Sequence, residues 1–317
     1  MDFDSDFLKK FHNPENKKNH TEQNKKNIDT DKNKMLINEF NIDLGEHLLH
    51  PLPDKDYFIS CYKKCFELIY GVREKKAKKF NEQNIKSLED LSNDIKYSGF
   101  VKNLFKILDD GFHEIKKIFG RRFSSSHKMA FLLLSFFKKE DLLFLDIETM
   151  TLFPETQIIT IGCGFFQNNN FKTIHLTALN EEGEYEILNE FKKLLETKKA
   201  FVTFNGKSFD VPFIDMRMSY YNIENNLNIY HNFDLLFFTK KAFKGLQKSF
   251  TLKEIDKNIL KKYRKNDISG DDVFYYYNKY KITKNMNFLK PIINHNKEDI
   301  LSIALLLHKL ISVWCKN

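Results

Sequence analysis

The chain has 317 residues, 42% of them hydrophobic and 32 of them Phe, and it carries a formal net charge of +8. That is ample apolar material for a real core, in one large domain or, as fits better, two of ordinary size. The longest apolar run, Met129 to Phe137, is too short to span a bilayer, and the polar N-terminus has no apolar leader segment. The four cysteines, Cys61, Cys65, Cys163 and Cys315, show no zinc-type spacing. The expectation is a cytoplasmic protein in a reducing compartment, with no membrane contact.

Residues 1–34 alternate Asn, Lys, Asp and Glu with almost no aliphatics after Leu8, so burial cannot offset the entropy of ordering, and a disordered tail is expected. Residues 35–55 end in Pro51-Leu52-Pro53 and read as an extended linker. From 56 to 139, apolar residues recur at spacings of three and four, as in Phe58, Tyr62, Cys65, Phe66 and Ile69, which predicts a small helical domain. It is also basic: residues 61–140 hold 18 Lys plus Arg against 10 Asp plus Glu, the whole charge excess of the protein. Within it, Ile69 to Phe80 followed by Ile85 to Leu91 resembles a helix-hairpin-helix element, with a Gly71 turn feeding a lysine-rich helix and Ser87 with Asp90 as a capping box. Such an element either contacts nucleic-acid phosphates or is a helical packing module with a solvated lysine face.

From residue 140 to 317 the pattern changes to α/β. Leu142–Ile147, Gln157–Phe166, Phe171–Leu176 and Ala200–Phe204 read as strands, Glu181–Leu195 as a helix, and the later segments as mainly helical. The first strand is apolar except for Asp146 and Glu148, two carboxylates at i and i+2 on one face. Two such groups in a low dielectric repel each other, and either one of them stays protonated or a divalent cation sits between them. Asp210 follows an Asn205-Gly206 turn, and His295 and Asp299 lie at i and i+4 near the start of a strongly apolar helix. These additional acids favour the cation, because hard oxygen donors select Mg²⁺ or Mn²⁺. Two such ions roughly 3.5–4 Å apart suit phosphodiester hydrolysis, and a histidine can take the proton of the attacking water.

The segments Phe144 to Thr149, Thr203 to Pro212, His231 to Leu236, Asp267-Ile268-Ser269-Gly270, and His295-Asn296 with Asp299 to Ser302 follow one another in the order Asp-x-Glu, Asn-x-x-x-Phe-Asp, His-x-x-x-Asp. That order resembles the DEDD superfamily of 3′-to-5′ exonucleases, and more closely the YprB-type predicted exonucleases. The resemblance covers residue 141 to the C-terminus. It implies an RNase H-like mixed β-sheet flanked by helices, here preceded by the small helical domain and the tail. It further implies that Asp146, Glu148, Asp210 and Asp299 are metal ligands for two Mg²⁺ or Mn²⁺ ions, with His295 as general base. The substrate it implies is the 3′ end of single-stranded DNA or RNA.

Two features depart from the commoner pattern. Met150-Thr151-Leu152 stands where Thr-Gly-Leu often follows the first motif, and His295 precedes Asp299 by four residues instead of five, as in the YprB-type group. Thr149, Asn205 and Lys207 are candidate substrate contacts, although Asn205 equally shapes its turn and Lys207 equally reads as a surface lysine. His231 and Asp234 read as strand-edge packing and hydrogen-bonding residues in preference to metal ligands. Tyr275, Tyr276, Tyr277 and Tyr280 offer base stacking, with core packing the reading for at least one of them. The alternatives are an inactive nucleic-acid-binding scaffold and a structure-specific endonuclease on the same fold.

Overall fold

A computed structural model describes residues 22–25, 34–45, 49–153, 155–167, 170–265 and 267–315. They form two compact units. One comprises Pro51–Lys138 with the described residues from Trp314 onward, the other the described residues up to His50 with Lys139–Val313.

The first is helical: α1 (Lys55–Lys63), α2 (Glu74–Glu82), α3 (Ser98–Asp110), α4 (Phe112–Arg122) and α5 (Lys128–Leu132). Its centre is aromatic. Phe58 packs against Tyr62, Phe119 and Phe136, and the Tyr62 hydroxyl donates to the Leu104 carbonyl at 2.9 Å, so the ring is buried with its polar end satisfied. Gly71, at φ +77°, makes the turn ahead of α2 as its spacing predicts. The helix expected to open at Ser87 is instead a single 3₁₀ turn, Glu89–Leu91. Asp90 accepts from the amides of Lys86 and Ser87, but Asp94 then accepts from Lys96 and Tyr97, and this competing side-chain cap ends the turn.

The second unit is built on a seven-stranded mixed sheet, with β1 (Glu22–Lys25), β2 (Met35–Ile42), β3 (Leu142–Thr149), β4 (Ile158–Gln167), β5 (Asn170–Ala178), β6 (Ala200–Thr203) and β7 (His231–Asp234) in the order β1-β2-β5-β4-β3-β6-β7. Pairing is antiparallel from β1 through β3, and β6 and β7 add in parallel. Its helices are α6 (Glu181–Leu195), α7 (Asp210–Tyr220), α8 (Leu235–Ala242), α9 (Leu252–Ile255), α10 (Gly270–Thr283) and α11 (Leu289–Trp314). This is the expected α/β sheet flanked by helices.

Two expectations are corrected. Residues 35–42 of the supposed linker are β2, whose eight residues all pair with β5. Apolar side chains at Leu36, Phe40 and Ile42 pack into the core under α10 and α11, a burial that the scattered pattern did not announce. Glu22–Lys25 of the supposed disordered tail pairs with β2; the rest of residues 1–33 lies outside the described residues.

Both faces of β3 are covered, which explains its nearly continuous apolar sequence. Leu143, Leu145 and Ile147 meet α6 and α7 through Ile187, Leu188, Phe191, Phe213 and Ile214. The opposite face, which carries Phe144, Asp146 and Glu148, meets α11. There Gly162 and Gly164 of β4 let the helix close in, since a Cβ on Gly162 would lie 2.0 Å from Asn296 Oδ1 and one on Gly164 2.6 Å from Ile300 Cγ2. Tyr277 of the tyrosine cluster is core, donating its hydroxyl to the Ala178 carbonyl at 3.0 Å, and Tyr275 is exposed. The four cysteines are free, and no helix among the described residues is long and apolar enough to cross a membrane.

Candidate metal centre

Asp146 and Glu148 project from one face of β3, opposite Gly162 and Thr160 of β4. β6 pairs with β3 only as far as Phe144, and further along the amide of Ile147 donates to Asp210 Oδ1 at 3.0 Å. Asp210 is the first residue of α7 and is brought there by the turn after β6. Asn205 adopts φ +66°, a left-handed conformation that Asn tolerates. Buried Asp234 holds the turn, accepting from the amides of Asn205 (2.8 Å), Lys207 (3.1 Å) and Leu236 (3.1 Å). Asp234 is thus a hydrogen-bonding strand-end residue. The side chains of Asn205 and Lys207 lie at the surface, and the Thr149 hydroxyl donates to the Thr151 carbonyl at 2.6 Å.

The helix α11 supplies the other half. His295 Nε2 lies 3.7 Å from Asp299 Oδ2 and 3.9 Å from Glu148 Oε1, so one ligand atom from each of Glu148, His295 and Asp299 falls within 4.8 Å of the others. Asn296, one residue on, faces the sheet. Its Nδ2 donates to Asp146 Oδ2 (2.8 Å) and to the Asp146 carbonyl (3.2 Å), so its Oδ1 accepts from His175 Nδ1 (2.7 Å). His175 Nε2 in turn accepts from Thr173 Oγ1 at 3.1 Å. Burial pushes His175 down to about 4, so it stays neutral and keeps this chain of donors intact.

Asp146, Gly162 and His175 lie side by side on β3, β4 and β5, and Asn296 spans them above the glycine. This seat escaped the reading of the sequence. The signal for it was Gly162-Cys163-Gly164, two glycines on one face of an apolar strand, which marks close approach of another element. Gly162→Ala is expected to displace Asn296 and lower the melting temperature by about 5 °C or more, as a forced overpacking of about 1–3 kcal/mol would. In an Asn296→Ala background the same change is expected to cost much less, and additive losses in the double-mutant cycle would reject the seat.

Behind the acids stands a charged layer. Arg264 Nη1 pairs with Asp299 Oδ1 and, at 3.2 Å, with Asp267 Oδ2, while Arg264 Nε pairs with Asp256 Oδ2 at 2.5 Å. Asp256 also accepts from Ser302 Oγ of α11 at 2.8 Å, and Lys262 pairs with Glu298 at 2.7 Å. A π-helical turn, Asp256–Leu260, followed by Lys261 at φ +54° sends this segment back toward α11.

Burial, then the charge of Asp299 and Asp210, drives Asp146 and Glu148 well above the usual carboxylate range. Asp210 is pushed up to about 7 by burial against the pull of the Ile147 amide. Burial works the same way on Asp267, but its bond to His295 and the charge of Arg264 hold it below the ordinary range. Three crowded acids that favour their protons, buried Glu148 and Asp210 with half-buried Asp146, are a site that a divalent cation would relieve, and Glu148, His295 and Asp299 are spaced to hold one. The five residues anticipated as catalytic are therefore brought to one place by three separate elements: β3, the start of α7, and α11. Residues 143–311 match the family model described as the RNase H superfamily, and no curated protein matches the chain.

Proposed function

From the premise that the chain belongs to the RNase H superfamily, we propose that it is a DEDD-type, YprB-like 3′-to-5′ exonuclease acting on single-stranded DNA or RNA ends. One observation carries the reading most: Asp146 and buried Glu148 project from the face of β3 that meets α11, the helix of Asp299, and His295 Nε2 stands within 4 Å of Glu148 and Asp299. Asp146, Glu148, Asp210 and Asp299 would hold two divalent cations, Mg²⁺ or Mn²⁺. When bound, such ions polarise the phosphoryl oxygens and make a coordinated water acidic.

The protein's own groups do the rest. His295 Nε2 takes a proton from the attacking water as its oxygen forms the new bond to phosphorus and the 3′ oxygen of the preceding nucleotide leaves. Asn296 keeps the Asp146 carboxylate from rotating, and Arg264 does the same for Asp299. Thr149, at the end of β3, and Asn205 and Lys207, on the loop after β6, are the substrate contacts of this reading.

The test is degradation of 5′-labelled single-stranded DNA and RNA in Mg²⁺ or Mn²⁺, beside circular single strands. A ladder that shortens from the 3′ end while circles survive is the expected result. Cut circles would replace the reading with an endonuclease, and binding without any cleavage would replace it with a nucleic-acid-binding scaffold.

A further inference from the structure

Asp267-Ile268-Ser269-Gly270 leads into α10, and three contacts fix where Asp267 stands. Ser269 and Asp272 cap the helix reciprocally: Ser269 Oγ accepts from the Asp272 amide (3.3 Å) and Asp272 Oδ2 from the Ser269 amide (2.9 Å). Lys253 Nζ donates to the Ile268 carbonyl at 2.6 Å and lies 3.5 Å from Asp267 Oδ2. Arg264 Nη1 takes the same oxygen at 3.2 Å. With Oδ2 held by two cations, Oδ1 is left facing His295 Nδ1 at 2.6 Å.

The other ring nitrogen has no comparable partner among the acids. Nε2 lies 3.7 Å from Asp299 and 3.9 Å from Glu148, beyond hydrogen-bond reach, so the ring's proton is favoured on the Asp267 side. We propose that Asp267 is the positioning residue that fixes His295 as the Nδ1–H tautomer, with the Nε2 lone pair aimed between Glu148 and Asp299. The opposite tautomer, which a free histidine side chain prefers, would turn an N–H toward the site and leave the ring no lone pair there to take a proton. The consequence for rate rests on the hydrolytic reading above; the tautomer itself is read without turnover.

The experiment is a long-range ¹H–¹⁵N correlation spectrum of the full chain labelled at its ten histidines, saturated with Mg²⁺ at pH 8.5. His295 is assigned by the loss of its signals in His295→Gln. Wild type is expected to show His295 protonated at Nδ1 and bare at Nε2. Asp267→Ala is expected to move the proton to Nε2, and to lower kcat about 10- to 100-fold with KM and the Mg²⁺ midpoint within about twofold. Asp267→Asn, which keeps an acceptor, is expected to recover part of both. An Nε2–H or doubly protonated His295 in wild type overturns the proposal, as does an unchanged tautomer in a folded Asp267→Ala; the wild-type spectrum decides even if that variant does not fold. Nδ1–H in wild type that is lost in Asp267→Ala, from a chain that cleaves no nucleic acid, upholds the tautomer and removes the exonuclease reading.

Discussion

Asp146→Asn is expected to cut cation-dependent phosphodiester cleavage by about 10³-fold or more, since removing a single pre-placed electrostatic group commonly costs about 10²–10³. The same change is expected to stabilise the metal-free protein at pH 8. The asparagine carbonyl can still accept from Asn296 Nδ2, so the local geometry survives, while one of several mutually repelling charges is gone. Activity lost with stability gained separates removal of a ligand from ordinary misfolding, in which both fall. Cleavage rates with a melting curve for the same preparation check it, and a variant that retains activity would take Asp146 out of the reaction.

The second large effect is on stability itself. Unfolded, Asp210 ionises near the ordinary carboxylate value of about 4, whereas folded it is pushed up to about 7. A group that binds its proton more tightly when folded contributes stability that is fully present below about pH 4 and is lost as pH rises through about 7. Asp146 and Glu148 shift in the same direction. Two buried histidines act oppositely. His175 and His308, both pushed down to about 4 by burial, withdraw stability as pH falls below about 6.5.

Above about pH 6.5 the histidines no longer offset the acids, and the metal-free protein is therefore expected to lose roughly 5–10 °C of melting temperature between pH 6.5 and 8.5. Saturating Mg²⁺ binds the ionised site and not the unfolded chain, so it is expected to restore most of that loss at pH 8.5 and to do little at pH 5. Calorimetry with and without Mg²⁺ across this range reads both. A flat profile, or equal stabilisation at both ends, would mean that Arg264 and its neighbours already balance the acids and that the site does not call for a cation.

Much of the site was legible in the sequence because its signals are local. Two acids two residues apart on an apolar strand must share a face, and His295 and Asp299 four apart on a helix must share another, whatever the rest of the chain does. The Asn205-Gly206 turn carries its own backbone chemistry, and the apolar periods of β3, β4, β5, α6 and α11 are long enough to identify each element without its neighbours.

Other features depended on partners far away in the chain. β2 reads as a linker until β5 takes up its amides, because an eight-residue strand with polar Asn38, Glu39 and Asn41 has no strong period of its own. Asn296 looks like a helix residue beside a histidine; only the row of Asp146, Gly162 and His175, drawn from three strands, gives both ends of its amide a partner. Asp267 is one acid among many until the turn before α10 sets it against His295 of α11. The sequence determined by itself which residue types and local faces exist, since those follow from side-chain period and turn chemistry over a few residues. Which carboxylate meets which ring nitrogen, and which glycine must stay bare, was decided by the tertiary structure, because hydrogen bonds and repulsions between elements depend on distances that no local pattern encodes.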